Sequence, residues 1–191
     1  MRNRRREFGP PRPHYTLQQE GRALAGRYLP DLVYGANDGV ITTFAVVSGV
    51  VGAALSEEII LILGFANLVA DGFSMGASNY LARRSYEEAA RRDERRPAAR
   101  HGAATLLSFL LVGAVPLLAY LVPLPTDARF PTAIGLTFVA LFAFGAARSV
   151  ITKVGWVRSG TEMLVVGAVA ALVAYLIGAF ASELTGTDGG L

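Results

Sequence analysis

Apolar residues in this chain come in five blocks, approximately 32–55, 59–82, 103–123, 131–150 and 161–183, with the charges gathered between them. Each block reaches the roughly 20 helical residues needed to cross about 30 Å of hydrocarbon. The pattern therefore predicts an all-α integral membrane protein of five transmembrane helices. Blocks three and five, with stretches such as LLSFLLVGAVPLLAYLV and MLVVGAVAALVAYLIGAF, read as lipid-facing helices. The first two are richer in Gly, Ala, Ser and Asn and are expected to face protein or water. Ahead of them, HYTLQQEGRALAGRYL places Leu17, Leu24 and Tyr28 near one face, which predicts a short amphipathic helix on the membrane surface, ended by Pro30. The expected organisation is a cytoplasmic N-terminal segment over 1–30, a five-helix domain over 31–184 and a flexible tail over 185–191.

Composition agrees with this reading and charge gives it a direction. Of 191 residues 52% are hydrophobic, more than in soluble domains. Seven arginines fall within 1–31, seven within 83–102, and Arg148, Lys153 and Arg158 within 148–160, so that of the 18 Lys and Arg only Arg129 lies on the other side. The positive-inside rule then predicts a cytoplasmic N-terminus. The same arginines need anionic lipid as partner, not nucleic acid. No cysteine is present, which removes disulfides and thiolate metal sites. MRNRRREFGPPRP is followed by no apolar core and is not read as a signal peptide.

Against this apolar background, Asp38 in the first span and Asp71 in the second stand out. An ionisable group at bilayer depth costs about 2.5 to 3.5 kcal/mol on insertion scales and marks a functional site by default. The surrounding wording, YGANDGVITTFAVVSG and FANLVADGFSMGASNYLARR, adds Asn37, Asn67, Met75 and Asn79. Asn67, Asp71, Met75 and Asn79 recur every four residues and form one stripe on the second helix, as Tyr34, Asp38 and Thr42 do on the first. Counting inward from Asp31 and from Arg83 puts Asp38 level with Met75 and Asn79, and Asp71 about a turn deeper. Gly35 with Gly39 and Gly72 with Gly76 form small-residue pairs that let backbones approach. Carboxylate and amide oxygens with one thioether suit a divalent transition metal, and a ligating carboxylate must release its proton. The expected metal set is Asp38, Met75, Asp71, Asn79 and Asn67, with proton coupling through Asp38 and Asp71. Asp31, Glu87, Glu88 and Glu94 are candidates for the cytoplasmic mouth, although Asp31 reads equally as a helix-start residue. His14 and His101 read as surface residues, and Glu162 as a charge near a helix start.

The segments DLVYGANDGVITTFAVVSGVVGA and LVADGFSMGASNYLARRSYEE resemble the vacuolar iron transporter family, and the resemblance extends over all five spans. It implies a five-helix homodimer with its pathway at the two-fold interface, moving Fe(II) or Mn(II) out of the cytosol in exchange for protons, with no permanently bound cofactor. It also implies that Asp38 is the first-helix carboxylate of the pathway and Met75 its methionine ligand. Two features depart from the family pattern. Asn79 stands where members often have glutamate, and RSYEEAARRDERRPAARHG replaces a long Glu-rich metal-collecting domain. In that loop Glu87, Glu88, Asp93 and Glu94 sit among seven arginines, which favours a solvated, salt-bridged face.

Other classes remain to be weighed. Two aspartates on neighbouring membrane helices are also the equipment of an intramembrane aspartyl protease, yet neither the Tyr-Asp nor the Gly-x-Gly-Asp setting is present. No phosphate-cradling loop supports nucleotide-driven pumping. A non-transporting metal sensor or scaffold is the third possibility. The short soluble region and the Ala/Arg-rich composition point to a bacterial plasma membrane.

Overall fold

The computed structural model describes residues 17–89, 98–152 and 154–186 of the chain. They form six α-helices, and no strand occurs among the described residues. Helix α1 spans Leu17–Gly52, α2 Glu57–Ala89 and α3 Ala98–Gly113; a 3-10 turn, Val115–Leu117, leads into the short α4, Leu118–Leu121, followed by α5, Thr126–Thr152, and α6, Trp156–Thr185. Among the described residues four stretches are long and apolar enough to cross a membrane: α2, the combined Ala98–Leu121, Thr126–Ser149 within α5, and α6. Helix α1 is not among them, because Asn37, Asp38 and its glycines and threonines dilute its apolar content. The third span is not one regular helix, since Pro116 in the 3-10 turn interrupts it.

The break expected at Pro30 is absent, and the surface helix and first span are one helix of 36 residues. Interior proline costs about 3 kcal/mol through its lost donor and ring clash. Contacts on either side offset that cost: the Tyr28 ring packs 4.8 Å from the ring of His101, and Asp31 is bonded to α2 and α3. Leu24, one of the residues expected on the amphipathic face, lies outside the residues whose side chains are described, and so does Leu17.

Helix α1 packs against α2, α3, α5 and α6, and the other helices are arranged around it. The glycine pairs explain how closely. A methyl group at Gly39 would lie 2.6 Å from the Phe109 carbonyl oxygen, and one at Gly76 would lie 2.9 Å from that of Gly102. Both pairs thus seat their helices on α3, whereas the sequence reading left their partner open. The main apolar core, including Phe44, Val47, Ile60, Leu117 and Tyr120, fills the half of the bundle near the α1–α2 turn. There Glu57 at the start of α2 forms an ion pair with Arg129 of α5. The polar positions of α1 and α2 occupy the opposite half.

Candidate metal site between the first two helices

Helices α1 and α2 run antiparallel, each held to α3, and an open groove of about 540 Å³ lies between them. Tyr34, Ser74, Met75 and Ser78 line its length, and Asp31 and Asn79 lie at its end nearer Pro30 and Ala82. Met75 is half-buried, as a groove-lining residue should be. Deeper in, Asp38 and Asp71 are both half-buried, and the Asp71 carboxylate is near enough to act electrostatically on that of Asp38. Like charges brought together in a poorly solvated place favour a bound cation or shared protons. Thr42 donates to the Asp38 backbone carbonyl at 2.8 Å and so leaves the carboxylate free of that bond. Asn67, on the same stripe, has its buried Nδ2 without a hydrogen-bond partner among the described residues. Rotating the amide by half a turn presents its oxygen instead.

The register between the helices differs by a turn from the count made on the sequence. Asn79 meets Asp31, not Asp38: Asn79 Nδ2 donates to Asp31 Oδ1 at 2.8 Å. Arg83 accounts for the offset, because its guanidinium reaches back along α2 to Asn79 Oδ1 at 3.2 Å and to Asp31 Oδ1 at 2.9 Å. The Arg83 backbone therefore lies a turn farther out than the carboxylate it binds, and Asp38 falls opposite Asp71.

At the Asp31 end of the groove the polar groups are already committed. Asp31 is only 4% exposed and is neither a free charge at the mouth nor a helix-start residue, since α1 begins fourteen residues earlier. Its Oδ2 lies 2.5 Å from His101 Nδ1, and Asn79 Nδ2 also donates to Thr105 Oγ1 at 2.6 Å. Burial works against the charged form of Asp31, just outside the first apolar block, but the hydrogen bonds from His101, Asn79 and Arg83 outweigh it and hold the carboxyl below the usual range. His101, read from sequence as a surface residue, is buried at 7% exposure. Nothing local signals this, because its partner lies 70 residues away. Glu87 and Glu88 sit on the last turn of α2; Glu88 pairs with Arg84 at 2.8 Å, in keeping with the salt-bridged face expected there. Glu94 and Asp93 lie outside the described residues. Glu162 pairs with Arg158 at 3.1 Å and Arg148 at 3.2 Å. Asn37 turns to the other side of α1, where its Oδ1 is buried without a hydrogen-bond partner among the described residues.

Among the described residues no three His, Cys, Asp or Glu side chains come together as a closed metal cage. Two carboxylates, a thioether and an amide make an open donor set, suited to a cation that arrives and leaves. A model of the VIT family matches residues 29–101 and 88–179, most of the chain and both halves of this groove. The chain belongs to the VIT family. It is thus a multi-pass membrane protein, in a family whose named members are transporters rather than enzymes, and the aspartyl protease reading falls away. Among VIT relatives, "Vacuolar iron transporter 1" of Arabidopsis thaliana is 26% identical over 226 aligned positions, covering 86% of this chain and 89% of that protein. An alignment longer than this chain means that the relative carries residues this VIT chain lacks. "Vacuolar iron transporter homolog 2" of Oryza sativa subsp. japonica is 29% identical over 168 positions, covering 79% and 89%. "Vacuolar iron transporter" of Toxoplasma gondii is 46% identical over 55 residues, where the chain spans only 18% of the relative's length.

Proposed function

We propose that this VIT-family chain is a proton-coupled carrier that moves Fe(II), with Mn(II) as a second cargo, out of the cytosol. The observation that carries this reading is the placement of Asp38 and Asp71 within electrostatic reach of each other across α1 and α2, each one helical turn beyond a residue that lines the groove, Tyr34 for Asp38 and Met75 for Asp71. A divalent ion entering this pair satisfies both carboxylates and displaces their protons, and reprotonation from the other side releases it. Cargo ligands are Asp38, Asp71 and Met75, with Asn67 adding an amide; Asn79 and Asp31 form the mouth. The thioether favours Fe(II) over harder ions. No permanently bound cofactor is needed.

Helix α1 serves as the fifth span in this proposal, its 36 residues exceeding the hydrocarbon thickness. The gathering of arginine at one end supports a cytoplasmic N-terminus for the 31–184 domain. Because one chain offers few donors, a homodimer that brings two grooves together completes the coordination shell. Exposed apolar residues on α2, among them Ile62, Val69 and Phe73, give such a dimer a face. The proposed membrane is the plasma membrane of a bacterium, while the relatives described above are eukaryotic.

The test is transport by purified protein in proteoliposomes with a metal indicator and a pH indicator inside. Fe(II) uptake should be accompanied by proton movement the other way. Asp38→Ala should abolish both, and uptake that survives this change would reject the carrier mechanism.

A further inference from the structure

His101 stands outside the groove and touches none of the proposed cargo ligands except through its neighbours. From α3 it holds Asp31 Oδ2 at 2.5 Å, while from α2 Asn79 and Arg83 hold Oδ1 at 2.8 and 2.9 Å. A single buried carboxylate of α1 is thereby tied to both α2 and α3. Asn79 closes the triangle by donating to Thr105 Oγ1 on α3. Asp31 and Asn79 are themselves the cytoplasmic end of the groove, whereas His101 is absent from its lining.

The cluster is poorly suited to catching cations. Both Asp31 oxygens are occupied, and the Arg83 guanidinium at the same oxygen repels an approaching metal ion. Nor is it needed to join the helices to α3, because the glycine contacts of α1 and α2 already do so. Replacing a buried ion pair by apolar residues is often neutral or stabilising, so its defensible contribution is geometric. We infer that His101 is a positioning residue: by anchoring Asp31 to α3 it fixes where Asp31 and Asn79 stand, and so sets the width of the cytoplasmic mouth through which cargo reaches Met75 and the aspartate pair. The transport half of this statement rests on the carrier reading; the geometric half does not.

The chain has no cysteine, so single thiols report without background. Ser78 is exposed and lines the groove. In a Ser78→Cys background, modification by a water-soluble maleimide is compared for His101 and for His101→Leu, His101→Gln and His101→Asn, in samples shown to be monodisperse. The Asn amide nitrogen stands where Nδ1 does, whereas Gln reaches the position of Nε2, so Asn is the conservative replacement. Loss of one charge-assisted bond should raise the modification rate by about fivefold in the Leu and Gln variants. The half-saturating Fe(II) concentration should rise by a similar factor, and Asn should return both to within about twofold. Unchanged rates and half-saturation in the Gln variant, or an Asn variant no better than Gln, would overturn the inference, and this pair decides it even if the Leu variant fails to fold. A parent protein that does not move Fe(II) would reject the carrier reading, while the maleimide rates would still judge His101.

Discussion

A carboxylate inside a membrane protein is held there by what it does or by what neutralises it, and this chain contains both kinds. Asp31 is paired with Arg83 and hydrogen-bonded to Asn79 and His101. Asp38 has the carboxylate of Asp71 as its neighbour. Asp38→Asn, which keeps the volume and removes the charge, should therefore lower Fe(II) uptake into proteoliposomes by at least about tenfold, with little loss of folded protein, because it relieves like-charge repulsion. Asn67→Leu separates the two roles of that amide. With no bond to lose at Nδ2, thermal stability should stay within about 0.5 kcal/mol or rise, while uptake falls if the amide contacts cargo. Asp38 and Asp71 stand out as candidates in the sequence because each carboxylate conflicts with its apolar surroundings and the conflict is local, whereas Met75, itself apolar, stands out only by its place between Asp71 and Asn79. His101 was not legible, because a histidine next to an arginine-rich loop looks solvated until the fold brings Asp31 to it.

At the scale of the helices, the sequence reading located every long element, since blocks of about 20 apolar residues allow few alternatives. It missed the continuity of α1 through Pro30, where tertiary contacts overrule a local signal, and the irregular third span, where Pro116 lies inside an otherwise apolar run. The glycine pairs were visible, but their partner α3 depends on packing that no spacing reveals. Gly39→Ala places a methyl group 2.6 Å from the Phe109 carbonyl and should cost about 1 to 3 kcal/mol in thermal unfolding. Gly135→Ala, in open space within α5, should cost nothing and add up to about 1 kcal/mol. The end of α1 offers a further test. Leu55 N–H donates to Val50 and Ala54 N–H to Val51, the pattern of a Schellman cap, with Ala54 at φ 53° where glycine is usual. Ala54→Gly should stabilise the protein by about 1 kcal/mol, read as a higher unfolding temperature.

For the whole molecule, the decisive predictions concern sidedness and assembly. A single cysteine replacing Glu88 should react with an impermeant reagent only from the cytoplasmic side, and one replacing Asp127 only from the other. Native mass spectrometry from detergent should show two copies, and Val69→Arg with Phe73→Arg on the exposed face of α2 should reduce them to one. The fastening of α2 at its two ends limits how such an assembly can work. Near its start Glu57 is tied to α5, and near its other end Arg83 and Asn79 are tied to α1 and α3. Sliding α2 along its own axis by even one residue, about 1.5 Å, would strain both attachments at once. The second helix is therefore pinned in register near both of its ends, and a piston stroke along its axis is the displacement that these attachments oppose.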